Sequence, residues 1–421
     1  MKTHLRLLLA LGTVLSHCPM LLAQINPAYE VATWQGFKTA AVTYTLDDNT
    51  SNQLPVAIPL FDQYNFKTTL FTVTNWGPNW AGLRAASANG HEVTSHTVTH
   101  PSLGTLTVAQ QVAELQNSQT IIKANVPTAK CETIAYPNCV LGDLPNIQTY
   151  YLAGRICSGA IMPSTPPDFY NLSSIITGNT GSIQTAAAFN AKVEAAKTAK
   201  GWCVFLTHGI DNDGGYSPTQ STELAAHLAY MNTNIADYWV ATFAGVVKYI
   251  KERNAVAVTE TAVSTDLLHL TVSSNLDNAV YNVPITLRRL LPPTWTGAKL
   301  TLGGSAVAST IATVGSAKYI VFDAVPNQGE ISLTKNASVV TSTQTTAIAS
   351  TTYVWPSPFT EQGTLHLKGS FTYAVYSLVG KLLETGQSTD TAKFGKTLAA
   401  GTYLVKVSQN GRVVSSKVVK N

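Results

Sequence analysis

Residues 41–50, AVTYTLDDNT, form an apolar, β-branched run that stops on two adjacent carboxylates, Asp47 and Asp48. In a chain with only 12% charged residues, two like charges at the end of a buried-looking strand call for a reason. Neighbouring side chains on a strand point to opposite faces, so the two carboxylates are expected to meet different surroundings and take different tasks. The letters DDNT also suit a plain turn, because Asp, Asn and Thr side chains bond their own backbone. The rest of the chain decides between these readings.

Outward from this run, to about Asn254, apolar β-rich segments alternate with helical patterns. KTAAVTYTLDD, KTTLFTVT, GHEVTSH, ETIAYP, WCVFLTH and WVATF read as strands. TVAQQVAELQNSQTIIKANV, TAAAFNAKVEAAKTAKG and SPTQSTELAAHLAYMNT read as helices, the last with a Ser-Pro start signal. The alternation predicts an α/β domain with a mostly parallel sheet. Near-continuous apolar strands predict burial on both faces, as in a barrel or a doubly wound fold. From about Val256 to Val340 the grammar changes to short alternating runs such as LLHLTVSSN and AKYIVFDAV, the pattern of a small antiparallel sandwich. TSTQTTAIAST has no apolar periodicity and reads as a linker, and the last segment is again short strands and turns.

At 421 residues the chain exceeds one ordinary core, so several domains are expected. Its net charge of +4 is dispersed, with no basic block to engage nucleic acid or an anionic membrane. The first 23 residues combine a basic start, an apolar centre and a small residue, Ala23, and read as a secretory signal with Gln24 as mature start. LSHC places a His where a lipoprotein signal at Cys18 needs a small residue. No later apolar run is long enough to span a bilayer as a helix. Removing the signal leaves Cys131, Cys139, Cys157 and Cys203, which permit two disulfides in any of three pairings. Cys131 and Cys139 flank a short loop and are the first expected pair. Cys203 reads as a thiol in a buried strand.

The chemistry-bearing residues fall at the C-terminal ends of predicted strands: Asp47 and Asp48 after AVTYTL, His96 and His100 in HTVTH, Tyr136 and Pro137 after ETIA, and His208 after CVFLT. Convergence at that rim is how a parallel barrel builds a site. HTVTH offers two imidazoles four residues apart, which a single turn can aim at one ion. Two His and one carboxylate leave a divalent metal open to water and substrate.

TYTLDD, SHTVTHPSL, AYPNC and VFLTHG, in this order, resemble the successive motifs of the polysaccharide deacetylases, carbohydrate esterase family 4. The resemblance implies a distorted (β/α) barrel and metal-dependent hydrolysis of acetyl groups from carbohydrate. It implies Asp48, His96 and His100 as ligands of a divalent metal, Zn first, with Co, Ni or Mn as alternatives. It further implies Asp47 as general base, His208 as general acid, the Asn138 backbone N–H in YPNC as oxyanion donor beside Tyr136 and Pro137, and Leu206 as a wall for the acetyl methyl group. Leu206 reads equally as a barrel-core leucine. Two departures stand out. Many members carry an Arg in the third motif that bonds the base, and TIAYPNC has none. The fourth motif is not found around MPSTPPDFYNLSSI, which leaves Asp168, Asp211 and Asp213 as candidates to orient His208.

WPSPF, AVYSLVGKLL and LAAGTYLVKVSQNGRVVSSKVVKN resemble the C-terminal sorting domain of the type IX secretion route, which implies the secretion machinery as a partner. The expected organisation is a signal peptide over 1–23, a deacetylase-like barrel over 24–255, a β-sandwich over 256–340, a linker over 341–352 and a sorting β-domain over 353–421. In the sandwich an exposed Trp295 could stack on sugar, although a lone Trp is more often core. The expected product is a secreted or cell-surface enzyme, exported through the periplasm, acting on acetylated polysaccharide or oligosaccharide. The absent fourth motif and short, neutral loops favour O-acetyl esters of the xylan type. The alternatives are an N-deacetylase of chitin or peptidoglycan and a noncatalytic surface glycan-binding protein. A glycosidase needs two carboxylates flanking a glycosidic bond, which the adjacent Asp47 and Asp48 do not provide.

Overall fold

The computed structural model describes residues 25–336, 353–355, 358–377, 381–409 and 412–421. The signal segment and the linker lie outside the described residues. A first strand, β1 (Tyr29–Val31), precedes eight strands that build the α/β domain: β2 (Ala40–Asp47), β3 (Thr69–Thr72), β4 (Glu92–Ser95), β5 (Thr133–Ala135), β6 (Ala153–Arg155), β7 (Ile175–Ile176), β8 (Trp202–Thr207) and β9 (Tyr238–Val240). The helices between and after them are α1 (Ile58–Asp62), α2 (Trp80–Ala88), α3 (Val108–Asn125), α4 (Leu144–Tyr150), α5 (Ala186–Ala199), α6 (Ser221–Thr233) and α7 (Phe243–Ala255). The spatial order is β6-β5-β4-β3-β2-β8-β7, all parallel, with β9 beside the first half of β2. The sheet curls round: Leu172 bridges Arg155 of β6 while Ile175 and Ile176 pair with β8. This is the distorted barrel that the sequence motifs imply.

The six strands read from the sequence are all present; β6 and β7, three and two residues long, are additions. Helix α6 begins at Ser221, past the Ser217-Pro218 signal, and the Asp211 carboxylate accepts from the Ser221 N–H at its first turn. That bond stabilises a later start than Ser-Pro suggested.

Strand β2 is fully buried and shows how the fold aims the site. Ala40, Val42, Tyr44 and Leu46 share a core with Leu83, Leu115, Ile122, Phe189, Val193 and Leu224 of the surrounding helices. The alternate residues face the barrel interior, where Ala41 packs with Phe71, Ala135, Trp202 and Val204. Phe243, Val246, Val247 and Ile250 of α7 and Trp34 join that inner cluster, and the first turn of α7 is fixed by Thr69 and Glu92 at the starts of β3 and β4. The N-terminal end of the barrel is thereby plugged. Polar chemistry is left to the C-terminal rim.

The next strands, β10 (Ala257–Ser264), β11 (Leu267–Ser273), β12 (Ile285–Leu290), β13 (Ala298–Leu302), β14 (Ser305–Val307), β15 (Ser309–Val314), β16 (Ala317–Ala324) and β17 (Glu330–Lys335), form two antiparallel sheets, β1-β12-β16-β15 and β10-β11-β17-β13-β14. Strand β1 therefore adds to the second unit rather than to the barrel in whose range the sequence reading put it. Tyr249 of α7 packs in the sandwich core and donates to the Ala32 carbonyl, joining the two units. Trp295 is 4% exposed and donates to the Thr265 carbonyl, so it is a core residue and not an exposed sugar platform. The final strands, β18 (Tyr353–Trp355), β19 (Gly363–Ser377), β20 (Leu382–Phe394), β21 (Gly401–Gln409) and β22 (Arg412–Lys420), form a separate antiparallel sheet. Among the described residues no helix is long and apolar enough to cross a membrane.

Candidate active site

Asp47 ends β2 on the interior face and is 2% exposed. Asp48 follows with φ 72°, a left-handed conformation uncommon for residues other than Gly but one that Asp tolerates better than most. This turn overrides the opposite-face expectation. Both carboxylates reach the same imidazole, with His96 Nε2 at 3.6 Å from Asp47 and 3.4 Å from Asp48. His100 Nε2 lies 3.5 Å from Asp48 Oδ1, and His208 Nε2 lies 4.0 Å from Asp48 Oδ2. The five side chains named from the sequence thus converge.

The loop carrying the two imidazoles is built locally. Thr97 and His100 have φ of 69° and 63°, and the Glu114 carboxylate of α3 accepts from the Val98 and Thr99 N–H groups and the Thr99 hydroxyl. The Thr97 hydroxyl accepts from the His100 N–H. His96 Nδ1 lies 2.9 Å from the Ala135 carbonyl. With the proton on Nδ1 the ring donates there and leaves Nε2 free toward Asp48, the tautomer a metal ligand needs.

Asp48, His96 and His100 can each offer one ligand atom within 4.8 Å of the others. Asp48 Oδ1 is buried and has no hydrogen-bond partner, a costly state that a cation would relieve. One carboxylate and two imidazoles on an open rim fit a divalent ion with free positions. Burial would raise the Asp48 carboxyl, but His96, His208 and His100 draw it below its ordinary value. Burial would lower His96, but Asp47 and Asp48 hold it above its usual value. His208 is pushed down by burial, which outweighs the attraction of the two carboxylates.

The residue that the sequence did not reveal is Arg155. Its guanidinium, 1% exposed, grips both Asp47 carboxylate oxygens, donates to Ser174 and lies over the Phe71 ring. Arg155 on β6 pairs in register with Ala135 on β5, so the cation missing from TIAYPNC comes from the adjacent strand. Gln53, also unforeseen, donates from one amide to the carbonyls of Asp47 and His208, tying the ends of β2 and β8 together. A buried Gln five residues after the Asp pair was the signal available.

Cys139 is joined to Cys157, not to Cys131; Cys131 and Cys203 are buried free thiols. Cys131 and Cys139 lie at opposite ends of β5, too far apart along an extended strand, whereas Cys157 follows β6 at the same rim. Asn138, with φ 54°, sits beside this bridge, and the Cys139 and Val140 N–H groups donate to the Tyr136 and Pro137 carbonyls. Tyr136 is buried, its hydroxyl donates to the Tyr170 carbonyl, and a Cβ on Gly154 would collide with it. Its ring is part of the barrel wall. Pro137 and Leu206 are buried too, Leu206 on β8. None of the three expected carboxylates orients His208: Asp168 accepts from the Tyr170 N–H, Asp211 from Ser221, and Asp213 from Ile210 and Gly215. His208 Nδ1 is buried without a hydrogen-bond partner.

The curled parallel sheet gathers a carboxylate, two imidazoles and a further carboxylate–imidazole pair at its C-terminal rim. Residues 35–144 match the family model of the polysaccharide deacetylases, and residues 353–421 that of the secretion system C-terminal sorting domain. The chain is 26% identical over 331 residues to a gellan lyase of Bacillus sp, covering 73% of this chain and 13% of that protein. It is 32% identical over 85 residues to a chitin deacetylase of Colletotrichum lindemuthianum, covering 18% of this chain and 33% of that one. The chain thus spans 13% and 33% of the lengths of these relatives. A solved structure from Mycobacterium smegmatis, described as a polysaccharide deacetylase, is similar with a TM-score of 0.43 and 16% identity, over 57% of this chain and all (100%) of that one.

Proposed function

We propose that this protein is an exported, metal-dependent carbohydrate deacetylase that hydrolyses acetyl groups from polysaccharide, with O-acetyl esters of the xylan type as the favoured substrate. The observation that carries the reading is the convergence of Asp48, His96 and His100 around a buried, unpartnered carboxylate oxygen, with Asp47 and His208 facing the same point. An ion held by the three ligands, Zn²⁺ first and Co²⁺, Ni²⁺ or Mn²⁺ as alternatives, supplies Lewis acidity to the acetyl carbonyl and to water. Asp47, fixed by Arg155, takes the proton of the attacking water. The Asn138 N–H faces the developing oxyanion. His208 returns a proton to the departing sugar oxygen. Leu206 forms the apolar wall for the methyl group, and Tyr136 and Pro137 carry the loop that presents the Asn138 N–H.

The division of labour along the chain follows: residues 24–255 catalyse, 256–340 buttress the barrel, 341–352 link, and 353–421 address the protein to the secretion machinery after removal of 1–23. Release to the medium or retention at the cell surface both suit such an address. The likeness to a chitin deacetylase supports a second reading, an N-acetyl amide substrate such as chitin or peptidoglycan. Acetate release from acetylxylan, chito-oligosaccharide and peptidoglycan, measured side by side on chelator-stripped protein with and without added Zn²⁺, tests both. Zinc-dependent release from acetylxylan above the others is the expected result; no release from any of the three removes the catalytic reading in favour of a glycan-binding role.

A further inference from the structure

The disulfide sits between two groups on which the proposed reaction depends. Cys139 follows Asn138, whose N–H is the proposed oxyanion donor, and Cys157 lies two residues past Arg155, which grips Asp47. Asn138 and Cys139 both take left-handed backbone, with φ of 54° and 60°, although neither is a glycine. The hydrogen bonds of this turn run within it or to Ser102: the Cys139 and Val140 N–H groups donate to the Tyr136 and Pro137 carbonyls, and the Asn138 side-chain amide donates to the Ser102 hydroxyl. The Tyr136 N–H closes the β5-β6 ladder on the Arg155 carbonyl, and past that rung the disulfide joins the turn to the chain after β6. On the β6 side that chain is firmly placed. The Ile156 and Gly159 N–H groups donate to the Leu172 and Ser174 carbonyls, and the Ser174 hydroxyl accepts from Arg155 and donates to the Ile156 carbonyl. Cys139 and Cys157 are half-buried, with exposed Asn138 and Val140 beside one and exposed Ser158 beside the other, so a small reductant reaches the bridge. Cys131 and Cys203 are buried and do not exchange with it.

From this placement we infer that Cys139 and Cys157 are a positioning pair for the reaction: the closed bridge holds the Asn138 N–H in place relative to Arg155 and Asp47, and opening it switches turnover off while the barrel stays folded. The inference rests on the deacetylase reading for the reaction, though not for the movement of the turn. Two adjacent non-glycine residues at positive φ relax when nothing holds them there. Return of Asn138 to negative φ turns the peptide plane that carries its N–H, and a displaced oxyanion donor loses most of its effect. An external dithiol opens the bridge by attacking one sulfur, which forms a mixed disulfide and releases the other cysteine as a thiol. The second thiol of the reductant then frees the remaining cysteine and leaves as a cyclic disulfide, two electrons and two protons having passed to the protein. A disulfide oxidant closes the bridge again and leaves as two thiols. Reducing conditions prevail in a cytosol and oxidising ones in a periplasm or outside the cell. The chain is therefore silent where it is made and active where the bridge closes.

The test uses the full-length protein with Zn²⁺ and acetylxylan, oxidised, then reduced with a phosphine, which ends as its oxide with an oxygen from water and leaves zinc in place, then reoxidised with oxidised glutathione. Thiol counting confirms each state, and all rates are taken at a temperature where melts show every form folded. Reduction should lower kcat about tenfold to a hundredfold, with KM and bound zinc within twofold of the oxidised protein, and reoxidation should restore it. Cys139→Ser with Cys157→Ser should behave as the reduced form and ignore the phosphine. Cys139→Gly with Cys157→Ser should regain part of kcat, because glycine holds positive φ without a bridge. Unaltered kcat in fully reduced protein, a loss matched by lost zinc or by unfolding, or no gain from the glycine would overturn the inference. If the oxidised wild type releases no acetate from any substrate, the catalytic reading fails, and amide hydrogen exchange decides the movement separately. Faster exchange on reduction, confined to residues 136–142, supports it, and exchange unchanged there rejects it.

Discussion

Identical side chains at positions 47 and 48 acquire different environments because one ends a strand and the other turns away from it. Asp47 stays on the interior face and meets a buried guanidinium; Asp48 takes φ 72° and meets three imidazoles. The cluster of Asp48, His96 and His100 was legible because LDD and HTVTH are each compact sequence motifs. Arg155 was not, because its role depends on lying in register with Ala135 across two strands of three residues each, too short for any periodicity to show. Arg155→Met should leave the Asp47 carboxylate buried and unpaired, destabilising the fold by about 3 kcal/mol and lowering kcat far more than KM changes. Arg155→Lys, which keeps the charge but loses the fork, should recover part of kcat. Thermal melts beside steady-state kinetics on acetylxylan check both, and wild-type kcat in Arg155→Met would count against a role in holding Asp47.

Between strands, short loops under specific constraint position the site. The Cys139–Cys157 bridge ties the loop after β5 to the end of β6, and so places the Asn138 amide relative to Arg155. Sequence spacing favoured Cys131 because only seven residues separate it from Cys139, but the extended strand β5 runs between them and carries the two to opposite ends. Only the rim at which the strands end tells which sulfurs meet. Peptide mapping without reduction should find 139 linked to 157 and alkylatable thiols at 131 and 203 after unfolding. Cys139→Ser with Cys157→Ser should cost about 3 kcal/mol, since the bridge closes a loop of 18 residues. Glu114 plays the corresponding part for the His loop. Glu114→Ala removes the acceptor for two amides and a hydroxyl and should lower bound metal as well as the melting temperature. An unchanged metal content would mean that the loop holds its shape without it.

Across the whole molecule, barrel and sandwich share a buried contact that titrates. Glu252 of α7 is fully buried; its Oε2 accepts from the Val283 N–H of the sandwich while Oε1 has no partner. Burial pushes its carboxyl up to about 7, against the pull of the Val283 N–H and Lys248. An acid with a raised folded pKa binds more protons folded than unfolded in the window from about 4.5 to about 7, so its stabilising contribution is present below that window and lost as pH rises through it. Glu252→Gln should therefore flatten the decline in melting temperature between pH 5 and pH 8, with the variant gaining on the wild type at the higher pH; parallel curves would exclude Glu252 as the cause. The strand grammar of the three units was plain in the sequence. That β1 crosses into the sandwich was not, because three residues carry no record of which sheet will pair them. Truncation before residue 353 should leave acetate release in vitro intact if the last sheet serves only as an address.

Metal content and turnover of two single variants, purified and measured together, separate the roles of Asp47 and Asp48 most directly. Asp48→Asn exchanges an anionic ligand for a neutral amide, so bound zinc and activity should fall together and partly recover at high added zinc. Asp47→Asn removes the proton acceptor but no ligand, so zinc content should equal the wild type while turnover drops by roughly 10²-fold or more. Equal metal content and equal residual activity in the two variants, or wild-type turnover in either, would contradict the division of labour between these neighbours.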